Sequence, residues 1–126
     1  MEEWYSIGGF NDPMSSLSHL VGTVVFTIFG FFMLRAAARS KLTFWYAFEF
    51  VVATILMLTM SFVYHMMAVG SVSRDVMLRL DVAAIFIMIA STFTVVHGIL
   101  FTGWKRWAII VLLWTCLLYT SDAADE

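Results

Sequence analysis

Three residues that can do chemistry lie close together in an otherwise apolar part of the chain. Ser61 and His65 are spaced i, i+4, so on a helix they lie on one face, one turn apart. Asp81 follows within about the first turn of the next apolar run. A hydroxyl, an imidazole and a carboxylate near the same end of adjacent helices could bind a metal ion or move a proton.

The composition predicts that these residues lie in a membrane protein. Hydrophobic residues make up 62% of the 126-residue chain and charged residues only 13%, whereas a soluble domain carries about 25% charged residues. The net charge of −2, without a block of like charge, argues against nucleic-acid binding. The expected fold is all-α, a polytopic bundle of transmembrane helices.

Three apolar segments are long enough to span a membrane, and a fourth begins in the same way. They cover about residues 17–38, 42–67, 78–101 and 107–115, the last cut short. Asp12 and Pro13 are predicted to start the first helix, as N-cap and first helical residue. A polar hairpin is expected over residues 68–77, between the second and third spans.

The C-terminal segment has an unusual sequence. Residues 116–126 read C-L-L-Y-T-S-D-A-A-D-E, which matches the translation of a transposase adapter used in sequencing libraries. We therefore predict that this segment is not native and exclude it from fold reasoning. The alternative is a genuine tail with this sequence. On the adapter interpretation, residues 1–115 are the N-terminal part of a longer membrane domain.

Topology brings the polar groups together. Spans joined by short connections alternate in direction, so the start of the first, the end of the second and the start of the third share one membrane face. Five polar residues are predicted on that face: Asp12, His19, Ser61, His65 and Asp81. His97 is expected at the opposite face. Glu49, near that opposite face and next to aromatic residues, is assigned no function.

At these positions the chain resembles the hemolysin III family, which is related to the progestin and adipoQ receptors. The family opens with an acidic residue, Asn, Thr-His and Gly, and its second helix ends in Ser-x3-His. The residues that stand at the family's spacing here are Asp12, Ser15, Ser18, His19, Gly22, Ser61 and His65, followed by Arg79, Asp81, Gly103, Trp104 and Trp114. Asp12, Ser15, Ser91 and Val95 depart from the family's usual residues.

The resemblance implies a seven-helix membrane protein, of which this chain holds about four helices, with a zinc ion near one face. Its ligands would be His65 and two histidines of a His-x3-His motif on the seventh helix. Similar alkaline ceramidases imply zinc-dependent hydrolysis of a lipid amide, with the fragment alone inactive. Asp81 and Ser61 would then be catalytic, positioning or activating water, and His19 and Asp12 would lie behind the ligands in a second shell.

Each of these assignments has a simpler alternative. His65 could be an interfacial histidine, and Asp81 could pair with Arg79 or Arg74 or favour a helix N-terminus. Ser61 could bond the backbone carbonyl four residues earlier. For the whole protein, the alternatives are a pore-forming, cytolytic protein and a receptor-like protein with structural zinc. The expected partner is membrane lipid, and the expected location is a bacterial inner (plasma) membrane.

Overall fold

The described part of the chain forms four antiparallel helices that pack in sequence order. The computed structural model describes the backbone of residues 11–125 and the side chains of residues 11–120. The helices are α1 (Pro13–Ala37), α2 (Lys41–Met66), α3 (Val72–Leu100) and α4 (Trp104–Asp125). Each helix packs against the next one along the chain. The predicted all-α architecture is confirmed.

Three of the four helices have the length and composition of membrane spans. α1, α2 and α3 are each apolar enough over a long enough stretch to cross a membrane. Large apolar side chains such as Phe29, Phe31 and Phe32 are exposed rather than packed against the neighbouring helices. In lipid, helices satisfy every backbone hydrogen bond internally and such side chains face the hydrocarbon. The spans predicted from hydropathy therefore correspond to α1, α2 and α3.

Polar residues at the helix N-termini account for where the helices begin. The Asp12 carboxylate accepts a hydrogen bond from the Ser15 amide, with Pro13 at the start of α1, as predicted. Ser71 caps α3 in the same way by accepting from the Arg74 amide. The hairpin predicted over residues 68–77 is thus shorter, because its second half is already the first turn of α3.

The earlier start of α3 changes the position of Asp81. Asp81 lies within one turn of Leu78, where the apolar run begins, but about two and a half turns into α3, since the helix begins at Val72. Residues 72–77 are helical although several of them are polar. Hydropathy detects apolar segments only, so it does not detect this part of α3.

Glycine lets the helices approach closely at two places. The Cα of Gly98 in α3 faces the ring of Tyr46 in α2, and Gly30 in α1 faces Val51. Small residues at such contacts allow close backbone packing between membrane helices. The Tyr46 ring is consequently buried against α3.

Candidate functional site

Asp12 and His65 join the start of α1 to the end of α2. The Asp12 amide donates to the His65 carbonyl oxygen at 3.1 Å, and His65 Nδ1 lies 3.3 Å from Asp12 Oδ2. We call this pair of contacts the Asp12–His65 clasp. With Nδ1–H directed at the carboxylate, the neutral imidazole keeps its Nε2 lone pair for another partner.

His19 adds a second imidazole beside the clasp. Its ring stacks on that of His65, with centroids 5.5 Å apart. His19 Nδ1 lies 2.6 Å from the Ser15 carbonyl oxygen, so Nδ1 is the donor and Nε2 again carries the free lone pair of the neutral ring. Asp12 and His19 at the start of α1 therefore meet His65 at the end of α2, as the alternating helix directions predicted.

The ionised form of Asp12 is stabilised mainly by hydrogen bonds at the N-terminus of α1. Hydrogen bonding from Ser15 lowers the pKa of the Asp12 carboxyl below its ordinary value of 3.8, and the nearby His65 lowers it further. Because the side chain is 41% exposed, solvent screening keeps the associated stabilisation small.

The clasp is expected to weaken in acid. A carboxyl with a lowered folded-state pKa stabilises the fold above its ordinary value of 3.8 and loses that contribution as the pH falls through the folded-state pKa. Thermal unfolding of the purified protein in detergent, followed from neutral pH into this acid range, should show a small drop in the midpoint. Asp12→Asn should remove this part of the pH dependence. An identical acid drop in the variant would contradict the assignment.

By helical register, three buried polar residues lie at a similar level, about one turn deeper than the clasp. Thr54 of α2 contacts Met88 of α3. Because the two helices are antiparallel, two turns onward in α2 correspond to two turns back in α3. Ser61 and Asp81, seven residues from Thr54 and Met88, therefore lie at the same level of the bundle. On the other side, the contacts of Asp12 with His65 and of Gly22 with Leu58 bring Ser16 to the level of Ser61. We call Ser16, Ser61 and Asp81 the polar layer.

The polar layer is poorly satisfied within the described residues. Ser16 is fully buried, and Ser61 and Asp81 are 8% and 7% exposed. Ser16 Oγ and Asp81 Oδ1 have no hydrogen-bond partner among the described residues. An unsatisfied buried carboxylate oxygen is costly, so it points to a partner such as water, substrate or another part of the protein. Sequence analysis did not single out Ser16, whose burial depends on the α1–α2 packing.

Arg74 is committed elsewhere, which bears on the alternative assignment of Asp81. Its guanidinium donates to the Met67 carbonyl at 2.7 Å and lies over the Tyr64 ring, 4.7 Å from the centroid. It thereby caps the end of α2 and packs on the aromatic ring that precedes His65. Among the described residues, the one carboxylate–base contact within 4.0 Å is that of Asp12 with His65; the predicted alternative pairing of Asp81 with Arg74 or Arg79 is not formed there.

The donor groups at this end of the bundle meet part of the requirements of a zinc site. Zinc sites use three or four nitrogen, sulfur or oxygen ligands, and a ligating histidine directs its other ring nitrogen to a carboxylate or carbonyl. His65 has that second contact through Asp12. Within the described residues, however, no group of three histidine, cysteine or acidic side chains can hold a metal ion. The clasp fits one ligand of a zinc site, and any further ligands must come from outside the described residues.

A second polar contact lies far from the clasp and was missed by sequence analysis. The Ser91 hydroxyl donates to Glu49 Oε1 at 3.0 Å, joining α3 to α2. Ser91 is fully buried. A signal was available in the sequence, because an acidic residue inside an apolar span is rare without a function. His97 lies in the last turn of α3, at the opposite end from the clasp, as predicted.

The fold and the clustered polar residues define a multi-pass helical membrane protein with a polar site at one end of its bundle. The family model described as Haemolysin-III related matches residues 8–121. The chain therefore belongs to the Haemolysin-III related family, as its motifs predicted. No curated protein and no solved structure matches the chain.

Proposed function

We propose that the full-length protein is a zinc-dependent hydrolase of the membrane, cleaving the amide bond of a lipid, in a bacterial plasma membrane. The observation that carries the proposal is the clasp. A histidine with Nδ1 turned to a carboxylate and Nε2 free has the arrangement found for zinc ligands. Membership of the Haemolysin-III related family supports the same assignment.

The position of each residue would determine its role in metal binding. His65 would hold the metal through Nε2, and Asp12 would fix the orientation of the imidazole from behind. His19, stacked on His65, would limit movement of that ring. When bound, zinc supplies a Lewis acid that polarises the amide carbonyl. The remaining ligands are expected beyond the described residues, in the paired histidines that the family resemblance implies.

Two residues of the polar layer would transfer the proton and orient the substrate. Asp81, with an unpartnered buried oxygen, would accept a proton from the attacking water and return it to the amine that leaves. Ser61 lies one helical turn below His65 and would donate a hydrogen bond to the substrate carbonyl. Water adds its oxygen to the carbonyl carbon, the carbon–nitrogen bond breaks, and a fatty acid and an amine result.

The test compares two histidines of the same protein. Full-length protein with His65→Ala should lose bound zinc and lipid-amide hydrolysis, measured by elemental analysis and by fatty-acid release from an N-acyl lipid. Asp12→Ala should weaken zinc affinity by about 10–100-fold, as loss of a partner behind a ligand does. His97→Ala is the matched control, because His97 lies at the opposite end and bonds only its own helix through Nδ1.

The outcomes separate the candidate functions. Unchanged zinc content in His65→Ala would overturn the ligand assignment. If the unsubstituted protein does not hydrolyse lipid amides and His65→Ala loses both zinc and the fold, the zinc is structural. Release of a vesicle-trapped dye that His65→Ala does not affect would favour pore formation instead.

A further inference from the structure

Glu49 and Ser91 face a cavity of about 370 Å³ formed by α2, α3 and α4. Its walls are otherwise apolar and rich in aromatic groups. They include Trp45, Phe48, Val52, Ile87 and Trp114. The volume is within the range of small-molecule sites, which are mostly apolar with a few placed polar groups.

Glu49 has hydrogen-bonding capacity that the described residues do not use. A carboxyl group can accept about four hydrogen bonds, and Ser91 supplies one. No basic side chain lies within 4.0 Å of Glu49 among the described residues. An acidic group inside a span is costly and is retained where it pairs or binds. The Ser91 contact by itself could tie α2 to α3, so this structural role must be tested against ligand binding.

The cavity is separate from the clasp. Glu49 precedes His65 by sixteen residues on the same helix, which is about 24 Å along the axis. Glu49 lies about 12 Å from the start of α2 at Lys41, which is deep enough to lie in the hydrocarbon layer. The proposed hydrolytic site does not use Glu49 or Ser91.

Several apolar walls of the cavity are exposed at the surface of the described residues. Trp45 is 58% exposed, Val52 47% and Phe48 41%. A molecule dissolved in the bilayer would enter the cavity past these exposed walls. It would place an apolar chain against Trp45, Phe48 and Trp114, and a hydrogen-bond donor at the carboxyl.

We propose that Glu49 and Ser91 form an intramembrane binding site for a long-chain molecule that carries one terminal hydrogen-bond donor, an alcohol or a primary amine. The carboxyl accepts from the ligand, and Ser91 fixes the orientation of the carboxyl. The aromatic walls select an apolar chain. A molecule of the same length without a donor leaves the carboxyl unpaired and binds more weakly.

The test uses photoreactive probes in vesicles that contain the full protein. A long-chain primary amine and a long-chain alcohol, each with a diazirine in the chain, should label peptides containing Trp45 or Trp114. The methyl ether of the alcohol, which lacks the donor, should label these peptides about tenfold less. The ratio of amine to alcohol labelling distinguishes the two donor chemistries.

Variants separate binding from helix packing. Glu49→Leu should reduce amine and alcohol labelling about tenfold, to the level of the methyl ether. Glu49→Gln keeps a carbonyl acceptor and a similar size, so it should retain alcohol labelling and lose preference for the amine. Ser91→Ala should weaken labelling by both donors. Thr92→Val is the matched control, because Thr92 neighbours Ser91, bonds only its own helix and lies outside this cavity.

Three results would overturn the proposal. Equal labelling by the donor probes and the methyl ether would mean that the cavity accepts any lipid chain. Full labelling of a folded Glu49→Leu protein would leave Glu49 as a tie between helices only. Absence of labelling by every probe would mean that another segment of the protein fills the cavity.

Discussion

Asp81→Asn is expected to make the protein more stable and less active. The carboxylate is 7% exposed, and its Oδ1 has no hydrogen-bond partner among the described residues. A charged group at membrane depth costs up to about 3 kcal/mol at the centre of a span. Because Asp81 lies nearer one end, we expect the free energy of unfolding to rise by about 1–2 kcal/mol.

The same substitution should impair the proposed hydrolysis in the full-length protein. Asparagine keeps the size of the side chain but cannot take a proton from water. Loss of a general base lowers turnover by about 10²–10⁴-fold. The opposite changes in stability and activity are the pattern of a residue kept for function at the expense of the fold.

Asp75→Asn is the control for Asp81→Asn. Asp75 lies on the same helix, in its exposed first turn. Its replacement should leave turnover unchanged and alter stability only slightly, through the helix dipole. Unfolding by SDS titration in mixed micelles and fatty-acid release provide the two measurements. A less stable Asp81→Asn protein would mean that the carboxylate has a stabilising partner, and would contradict the prediction.

Gly98→Ala is expected to separate α3 from α2. A Cβ at position 98 would lie 2.6 Å from both Cε2 and Cζ of Tyr46, closer than atoms in contact can be. Tyr46 is buried, and its hydroxyl has no partner among the described residues, so the ring has little room to move. Overpacking of this kind costs about 1–3 kcal/mol.

Gly22→Ala is the matched control for this prediction. A Cβ at Gly22 would lie 3.5 Å from the nearest Leu58 carbon, an ordinary contact. Its effect on unfolding in SDS should stay within about 0.5 kcal/mol. Tyr46→Ala combined with Gly98→Ala should cost less than the sum of the two single changes, because both act on one contact. Equal effects of the two alanine substitutions would show that the α2–α3 contact is looser than described.

The sequence determined the class of the protein and the residues of the clasp. Long apolar runs specify spanning helices because lipid offers backbone groups no partners. Alternating helix direction placed Asp12, His19 and His65 at one end without knowledge of their contacts. Asp12 was identified as an N-cap since its type and the following proline are local signals.

The tertiary structure alone decided which polar residues are buried and which of them meet. Hydropathy does not report a polar helical turn, so the apolar run that begins near Leu78 did not show that α3 begins at Val72. The burial of Ser16 and the pairing of Glu49 with Ser91 depend on the rotation and register of packed helices. Those are set by close contacts such as Gly98 with Tyr46, because a side chain can only face a neighbouring helix that packing has brought beside it.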